Sequence, residues 1–322
     1  MRISYSLGSL LSVEQILECS KKLPDLTDTI WIPETWGMEN FAMLAAVSKE
    51  ATRPRIGSSI INIYSRSPAT IAMGAATIDA LSGGRMVLGL GTSSLPIVES
   101  FHGSKFQRPL RRMREYIEII RLALSGDKID YAGEIFHLED FALLTRPQRA
   151  IPIYLAAVNS AMTNLAWELG DGVIFYLRPL DEIKKTIKMH PKKIDVSCQI
   201  ITSVADDSQK AITRAKKTLA FYVSVGNVYR EFLAANGFGR ETAAILEEYE
   251  RSGLRSCHEM VPDLMLHSLC IAGTPDECKR QLGRFTDAGI DLPILQFNPV
   301  GDVSDSFGLF TKTFDPRQES KQ

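Results

Sequence analysis

Short apolar runs bounded by Gly, Pro or Ser alternate with segments of helical spacing along most of the chain. The clearest example has apolar runs at Ile56–Ile63 and Met86–Leu90, with a helical segment, Pro68–Leu81, between them. Ser67-Pro68 is typical of the start of a helix, and Ser82-Gly83-Gly84 is typical of its end. A strand, a crossover helix and a second strand predict two parallel strands with a right-handed connection.

The same pattern predicts eight strands. They are Arg2–Leu7, Thr29–Pro33, Ile56–Ile63, Met86–Leu90, Ile151–Ala157, Gly172–Leu177, Val196–Val204 and Leu292–Phe297. A long loop is expected over Thr92–Arg108, and a hairpin over Lys128–Leu138 with Ala132-Gly133 in its turn. Eight strands alternating with helices predict a (β/α)8 TIM barrel, expected as one domain over residues 1–322 with a helical insertion at about 206–266. A doubly wound open sheet is the alternative, but no GxGxxG fingerprint follows the first strand.

Composition narrows the class of protein. Hydrophobic residues make up 45% of the chain and charged residues 23%, values typical of a soluble globular protein. A net charge of −1 gives no indication of a nucleic acid or membrane-surface partner. No apolar run approaches the ~20 residues of a membrane span, and the first residues lack a signal-peptide pattern. The five scattered cysteines show no CxxC spacing, so we expect buried thiols in a cytoplasmic protein.

Polar residues follow three neighbouring strands of the predicted sheet. Glu34-Thr35-Trp36 follows the second strand, Asn62 lies at the end of the third, and Gly91-Thr92-Ser93-Ser94 follows the fourth. Ligands bind at the carboxyl ends of parallel strands, which makes these residues candidates for a site. The Gly-rich loop is either a cradle for an anion or an ordinary turn. Glu34 is either a general acid or base or a solvated loop carboxylate.

Three further groups of residues could belong to the site, and each also has a purely structural interpretation. Glu99 and His102 lie in the long loop, where they either handle protons or are structural. Arg108, Arg111, Arg112 and Arg114 begin a helix, where they either capture an anionic tail or form salt bridges with Glu115 and Glu118. Asn159-Ser160 follows the fifth strand at a helix amino terminus, which is a ready anion site. The spacing of the histidines predicts no metal site.

Several segments resemble the bacterial luciferase-like superfamily, in the branch that uses the deazaflavin coenzyme F420. They are SRSPATIAMGAATIDALSGGRMVLGLG (65–91), WIPETWG (31–37), VESFHGSKFQRPLRRMREY (98–116), IPIYLAAVNS (151–160) and GTPDE…AGIDLPILQFNPVG (273–301). Methylenetetrahydromethanopterin reductase belongs to that branch. The resemblance covers most of the chain except roughly 206–266. It implies an oxidoreductase that transfers a hydride between F420 and a small organic substrate, commonly as a homodimer.

The resemblance also implies roles for particular residues. It implies a cis peptide at Ser59-Ile60, bulged against the coenzyme ring. Because Ser94 stands where relatives carry a carboxylate, we expect the catalytic acid to be Glu34 or His102. Substrate-binding residues would be Thr35, Trp36 and Glu99. The coenzyme-binding residues would be Ser59, Ile60, Asn62, Gly91, Thr92, Ser93, Arg108, Ala157, Asn159 and Ser160.

The chain departs from the family pattern at informative positions. Thr92 stands where FMN-using members carry an Arg that pairs with the FMN phosphate, which favours F420 over FMN. Ser94 stands where several F420 enzymes carry a carboxylate, Thr35 where the family commonly has His, and Asn159-Ser160 where it has Gly-Pro. An FMN-dependent monooxygenase is the first alternative. A cofactor-free barrel acting as a binding protein is the second.

Overall fold

The computed structural model describes residues 1–317, in which strands and helices alternate. The strands are β1 (Ile3–Ser6), β2 (Thr27–Ile32), β3 (Arg55–Ser58), β4 (Ile61–Asn62), β5 (Met86–Gly91), β6 (Ile129–Ala132), β7 (His137–Phe141), β8 (Ile153–Ala156), β9 (Gly172–Tyr176), β10 (Asp195–Val204), β11 (Cys270–Gly273) and β12 (Leu292–Phe297). The helices are α1 (Val13–Lys21), α2 (Asn40–Glu50), α3 (Pro68–Ser82), α4 (Pro109–Ser125), α5 (Ser160–Leu169), α6 (Leu180–Met189), α7 (Ser208–Val225), α8 (Asn227–Leu233), α9 (Gly239–Ser252), α10 (Asp263–Leu269), α11 (Pro275–Asp287) and α12 (Val303–Phe314). In the described part of the chain, none of these helices is both long and apolar enough to cross a membrane.

Each of the eight predicted strands is present, the third as β3 and β4 together. The predicted start and end of α3 are also confirmed. The Ser67 hydroxyl accepts the Thr70 N–H at 3.1 Å, and Gly83 ends the helix at a φ of 71°. The predicted hairpin is confirmed, since β6 and β7 pair antiparallel, but its turn was placed one residue early: Ala132 is the last residue of β6 and lies opposite His137, so the turn spans residues 133–136.

Two local expectations were incomplete. The segment expected as a long loop after β5 contains a turn of π-helix, Ile97–Phe101, closed by a hydrogen bond from the His102 N–H to the Ile97 carbonyl at 3.0 Å. The strand β11 was not predicted. It has only four residues and follows α10 without a break, so its apolar residues continue the pattern of that helix.

The chain divides into two compact units. The first unit comprises residues 12–21 and 29–174, and within it β3 pairs in parallel with β2 and β5, and β8 with β5 and β9. Trp31 on β2 lies opposite Gly57 on β3, and a Cβ atom on Gly57 would lie 2.5 Å from the indole ring. The missing side chain therefore makes room for Trp31, whose ring centroid lies 5.7 Å from that of Tyr154.

The second unit comprises residues 1–11, 22–28 and the described residues from 175 onward. Within it β12 pairs in parallel with β1 and β10, and β10 pairs with β11. Apolar residues of α7 to α10 share one buried cluster with residues of β10 and β11, including Leu219, Val223, Leu233, Ile245, Met265 and Cys270. The helices between β10 and β11 are therefore anchored by burial of apolar surface.

A buried carboxylate joins α4 to the hairpin in the first unit. Glu115 is fully buried and accepts the backbone N–H groups of Glu134 at 2.9 Å and of Ile135 and Phe136 at 3.0 Å. The Arg111 guanidinium donates to the same carboxylate at 2.7 Å. Burial alone would raise the pKa of Glu115, but Arg111 and the backbone donors outweigh it, so its pKa lies below the usual value.

We expect Glu115→Gln to lower the free energy of unfolding by about 2–3 kcal/mol at pH 7, because a charged acceptor of several hydrogen bonds becomes a neutral amide. The pKa of Glu115 is lower in the folded state. Its contribution is therefore present above the unfolded-state pKa and is lost as the pH falls through the folded-state pKa. The difference in unfolding temperature between the two proteins should accordingly narrow on acidification below about pH 4.

The matched control is Glu139→Gln, which changes an exposed carboxylate on β7 and should cost less than about 0.5 kcal/mol. Thermal unfolding followed by circular dichroism from pH 3 to pH 7 makes the comparison. A constant difference across this range would contradict the assigned role of the Glu115 charge.

Candidate functional site

The strand formed by β3 and β4 carries one residue more than β5 opposite it. Gly57 pairs with Val87 and Ile61 with Leu90, so three residues on one side face two on the other. The extra residue produces a β-bulge, an irregularity in which one strand carries one residue more than its partner and bends. The peptide between Ser59 and Ile60 in this bulge is cis, which confirms the prediction from the family resemblance.

The Ser58 side chain bridges the interrupted ladder. Its hydroxyl donates to the Gly89 carbonyl at 2.9 Å and accepts the Gly89 N–H at 2.8 Å. A Cβ atom on Gly89 would lie 1.9 Å from the Ser58 carbonyl oxygen. Only glycine therefore permits the backbones to approach this closely.

Ile60 lies against the end of β5. A Cβ atom on Gly91 would lie 2.5 Å from both Cδ1 and Cγ1 of Ile60. The side chain of Ile60 is half-buried, so part of it forms an apolar surface beside Gly91. This surface is where the family resemblance predicts contact with the coenzyme ring.

Three buried polar atoms in the predicted site have no hydrogen-bond partner among residues 1–317. They are Ser59 Oγ, Asn62 Nδ2 and His102 Nε2. The other side-chain atom of Asn62, Oδ1, is occupied because it accepts the Tyr64 N–H at 3.0 Å. Leaving a buried polar atom unpaired costs about 1–3 kcal/mol, so these atoms fit a ligand that supplies polar partners.

Glu34 is held by an ion pair that the sequence analysis missed. Arg66 donates to its two carboxylate oxygens at 2.6 and 2.9 Å, and both side chains are largely buried. The same carboxylate accepts the backbone N–H of Asn40 at 3.2 Å and that of Asn62 at 3.4 Å. Glu34 therefore links the end of β2 to Asn62, a predicted coenzyme-binding residue.

Arg66 is fixed from several sides. It also pairs with Glu39, lies over the Phe41 ring at 5.5 Å, and its carbonyl accepts the Tyr116 hydroxyl at 2.7 Å. The only sequence signal for this role is its place just before the Ser67-Pro68 helix start, where the carboxyl end of β4 brings it near β2.

The loop after β5 is held by local contacts. The carboxylate of Glu99, a predicted substrate-binding residue, accepts the Phe106 N–H at 3.1 Å. The Phe106 ring stacks on Tyr64 at 5.2 Å, and the Tyr64 hydroxyl donates to the Gln107 carbonyl at 2.9 Å. The His102 ring lies 5.0 Å from that of Phe101 in an edge-on arrangement.

The arginines at the start of α4 divide between the two interpretations. Arg111 pairs with Glu115 and Glu134, and Arg114 with Glu118 and Glu168, so the salt-bridge interpretation is correct for these two.

The remaining two arginines differ from these. Arg108, at a left-handed φ of 49°, pairs with Glu134 and is half exposed. Arg112 is sandwiched between Tyr64 and Phe136, at 4.8 and 5.3 Å from their ring centroids, and among the described residues its buried Nε has no hydrogen-bond partner.

The other predicted site residues lie at the ends of β2, β5 and β8. Thr35, Thr92 and Ser93 are half-buried, and Trp36 is 56% exposed. Ala157 is buried, and its N–H donates to the Ile174 carbonyl at 3.2 Å. Asn159 and Ser160 are exposed at the start of α5, where the Asn159 side chain caps the helix by accepting the Met162 N–H at 2.9 Å.

All five cysteines are buried, as expected from the sequence. Burial raises the pKa of Cys198 and of Cys278 to about 12, so these thiols stay protonated and unreactive at neutral pH. In residues 1–317, His, Cys, Asp and Glu form no group of three or more that could hold a metal ion.

The chain is similar to known proteins over most of its length. The family model described as luciferase-like monooxygenase matches residues 13–292. A 5,10-methylenetetrahydromethanopterin reductase of Archaeoglobus fulgidus is 30% identical, over 90% of this chain and 91% of the relative. A putative coenzyme F420-dependent oxidoreductase of Mycobacterium tuberculosis is 27% identical, over 88% of this chain and 90% of the relative.

A solved structure settles the fold class. The coenzyme F420 dependent tetrahydromethanopterin reductase of Methanopyrus kandleri superposes with a TM-score of 0.86 at 20% identity, over 98% of this chain and 99% of that one. The predicted (β/α)8 TIM barrel is thereby confirmed. Because the family model spans most of the sequence and the barrel is shared, the chain belongs to the luciferase-like monooxygenase family.

Proposed function

We propose that this chain is an oxidoreductase that transfers a hydride between coenzyme F420 and a small organic substrate. The observation that carries the proposal is that Ser59 and Asn62, which flank the half-buried Ile60 in the bulged strand, each hold a buried polar atom without a partner in residues 1–317. The two relatives described above support it, since one is named as F420-dependent and the other as a reductase of the same branch. When bound, the coenzyme supplies the hydride chemistry, and the protein supplies binding and orientation.

The residues around the bulge fit a planar ring with a polar edge. Ile60 offers an apolar wall, and Gly91 keeps that wall in place by leaving room for its side chain. Ser59 Oγ and Asn62 Nδ2 are buried; the Ser59 hydroxyl would donate to or accept from the heteroatoms of the ring edge, and the Asn62 amide nitrogen would donate to them. Their positions are fixed by neighbouring contacts, because Ser58 binds Gly89 and Glu34 binds the Asn62 N–H.

The coenzyme side chain would occupy the ends of β5 and β8. Thr92 and Ser93 supply hydroxyls, and Ala157 lies buried at the end of β8. Ser160 begins α5, whose first N–H groups favour an anion such as the coenzyme phosphate, and Asn159 orders that turn as its cap. Arg108 adds an exposed cation, although it is shared with Glu134.

His102 is the better candidate for the acid that Ser94 cannot provide. The four donors around Glu34 give that carboxylate a positioning role, whereas His102 Nε2 is buried and has no partner among the described residues. An imidazole nitrogen can carry a proton and release it to a substrate, which is what general acid catalysis at a hydride-transfer site requires. Thr35, Trp36 and Glu99 would face the substrate.

The oligomeric state and the location in the cell are also proposed. We infer a homodimer from the family resemblance, which light scattering coupled to size-exclusion chromatography would test. The cytoplasmic location expected from the cysteines remains a prediction, which fractionation of the source cells would check.

Of the predictions that follow from the proposed function, the first concerns the coenzyme. The protein should bind F420 with micromolar affinity or better, about −8 kcal/mol, in a fluorescence titration. FMN should bind at least about tenfold more weakly under identical salt, a gap of about 1.4 kcal/mol, because Thr92 cannot clamp its terminal phosphate. Tighter binding of FMN would favour the monooxygenase alternative, and binding of neither would favour a cofactor-free binding protein.

The second prediction concerns the wall formed by Ile60. Gly91→Ala places a Cβ atom where Ile60 now lies, so the side chain must move and F420 affinity should fall about tenfold. Gly308→Ala is the matched control, since a Cβ atom there meets nothing within 4 Å and the residue lies in a helix. Equal F420 affinity of Gly91→Ala and the control would show that Ile60 is not part of the binding surface.

The third prediction separates proton transfer from positioning. His102→Ala should bind F420 within about threefold of the native protein but lose on the order of 10²-fold in turnover on the first substrate found by screening alcohols, imines and activated alkenes. Glu34→Gln should instead weaken F420 binding, because the contact that holds the Asn62 N–H is reduced. If Glu34→Gln binds F420 normally and loses turnover, Glu34 is the acid and the assignment to His102 is wrong.

A further inference from the structure

A cavity of about 340 Å³ lies in the second unit, and its lining includes none of the residues assigned above. It is lined by the first three turns of α7 and by the segment that follows β12. Its charged lining residues include Lys210, Arg214 and Lys217, and Pro299 and Gly301 also line it. The carboxyl ends of β10 and β12 lead directly into these two segments, so the cavity lies at the end of the strands where barrels bind ligands.

The three cations lie on one face of α7. Lys210, Arg214 and Lys217 follow one another at intervals of four and three residues, which places their side chains next to one another. Like charges at this spacing destabilise a helix by a few tenths of a kcal/mol per pair. The helix cannot rotate them away, because Ala215 and Leu219 on another face are buried in the apolar cluster of this unit.

The cavity has too little negative charge of its own to balance them. Among residues 1–317, Asp207 is the one acid that lines it. Its Oδ1 is engaged as the cap of α7, accepting the N–H of Gln209 at 3.0 Å, and its Oδ2 lies 3.6 Å from Lys210 Nζ. In contrast to these cations, Lys216 has a close acidic partner, since its Nζ lies 2.8 Å from Asp263 Oδ1.

Arg214 is the central cation. Its side chain is half-buried, and loss of hydration lowers its pKa with no opposing carboxylate. A desolvated guanidinium is costly unless an anion or another acceptor pairs with it. The side chain presents planar, paired donors that suit phosphate, and Thr213 adds a hydroxyl to the same cavity wall.

We propose that this cavity binds the phosphate group of a small phosphorylated molecule. Two cations that have no carboxylate in the cavity to pair with, Arg214 and Lys217, match the charge of a phosphate dianion. Lys210 is shared with Asp207. The volume lies at the lower end of the range for small-molecule sites, so it has room for an organic group attached to the phosphate. The proposal does not depend on the coenzyme assignment, because its residues belong to the second unit and those around the bulge to the first.

The test is isothermal titration of the full chain with inorganic phosphate and with glycerol 3-phosphate, in chloride buffer of constant ionic strength. Saturable binding of either probe is expected, and Arg214→Gln should weaken it at least tenfold. Arg240→Gln, an exposed arginine on α9, is the matched control and should bind like the native protein. Lys217→Gln is a second variant in case Arg214→Gln fails to fold, which thermal unfolding would reveal.

The two probes distinguish the sources of the phosphate. Tighter binding of glycerol 3-phosphate indicates an organic phosphate, and equal binding indicates that phosphate alone is recognised. Absence of saturable binding by both probes overturns the proposal, as does unchanged affinity in a folded Arg214→Gln or Lys217→Gln protein. F420 affinity of these variants should stay unchanged, so a failure here is distinguishable from a failure of the proposed function.

Discussion

The double hydrogen bond between the Ser58 hydroxyl and the Gly89 backbone is the constraint on which the predicted coenzyme site depends. It holds two strands together where one carries an extra residue, and it requires glycine on the facing strand. The extra residue turns Ser59 and Ile60 out of the regular ladder, and a second glycine, Gly91, accommodates Ile60. An apolar wall with polar atoms beside it is thus built into the sheet itself, where side chains are positioned more accurately than on a loop.

The regular parts of the fold were predictable because their signals are local. Alternating apolar runs, the Ser67-Pro68 start of α3 and the glycines after it each act within a few residues. The strand β11 was missed because it continues the apolar pattern of α10, and sequence spacing cannot separate a short strand from the end of a buried helix. That residues 1–322 form one domain stays a prediction, and residues 318–322 lie outside the described part of the chain.

The site was predictable in location but not in its connections. Ligands bind at the carboxyl ends of parallel strands, and this rule identified Glu34, Asn62 and Thr92 as candidate site residues. The pairing of Glu34 with Arg66 spans 32 residues, and the contact of Glu115 with the hairpin turn spans 19 to 21. Such contacts depend on how strands and helices are placed in space, and charge patterns within one segment do not record them. The family resemblance supplied the cis peptide, which no local pattern indicates.

The contacts of the hairpin turn have a dynamic consequence for the segment between β5 and α4. Glu115, Arg111 and Arg108 all bind the turn of the hairpin, so we expect the start of α4 and the hairpin to unfold together as one cooperative unit. The segment before α4 is held to the rest of the unit chiefly through Tyr64, whose hydroxyl donates to the Gln107 carbonyl and whose carbonyl accepts the Ser104 hydroxyl. When this segment moves away from the barrel, we therefore expect the chain to bend at Arg108, the residue in the left-handed conformation. Helix α4, which follows Arg108, should then stay folded.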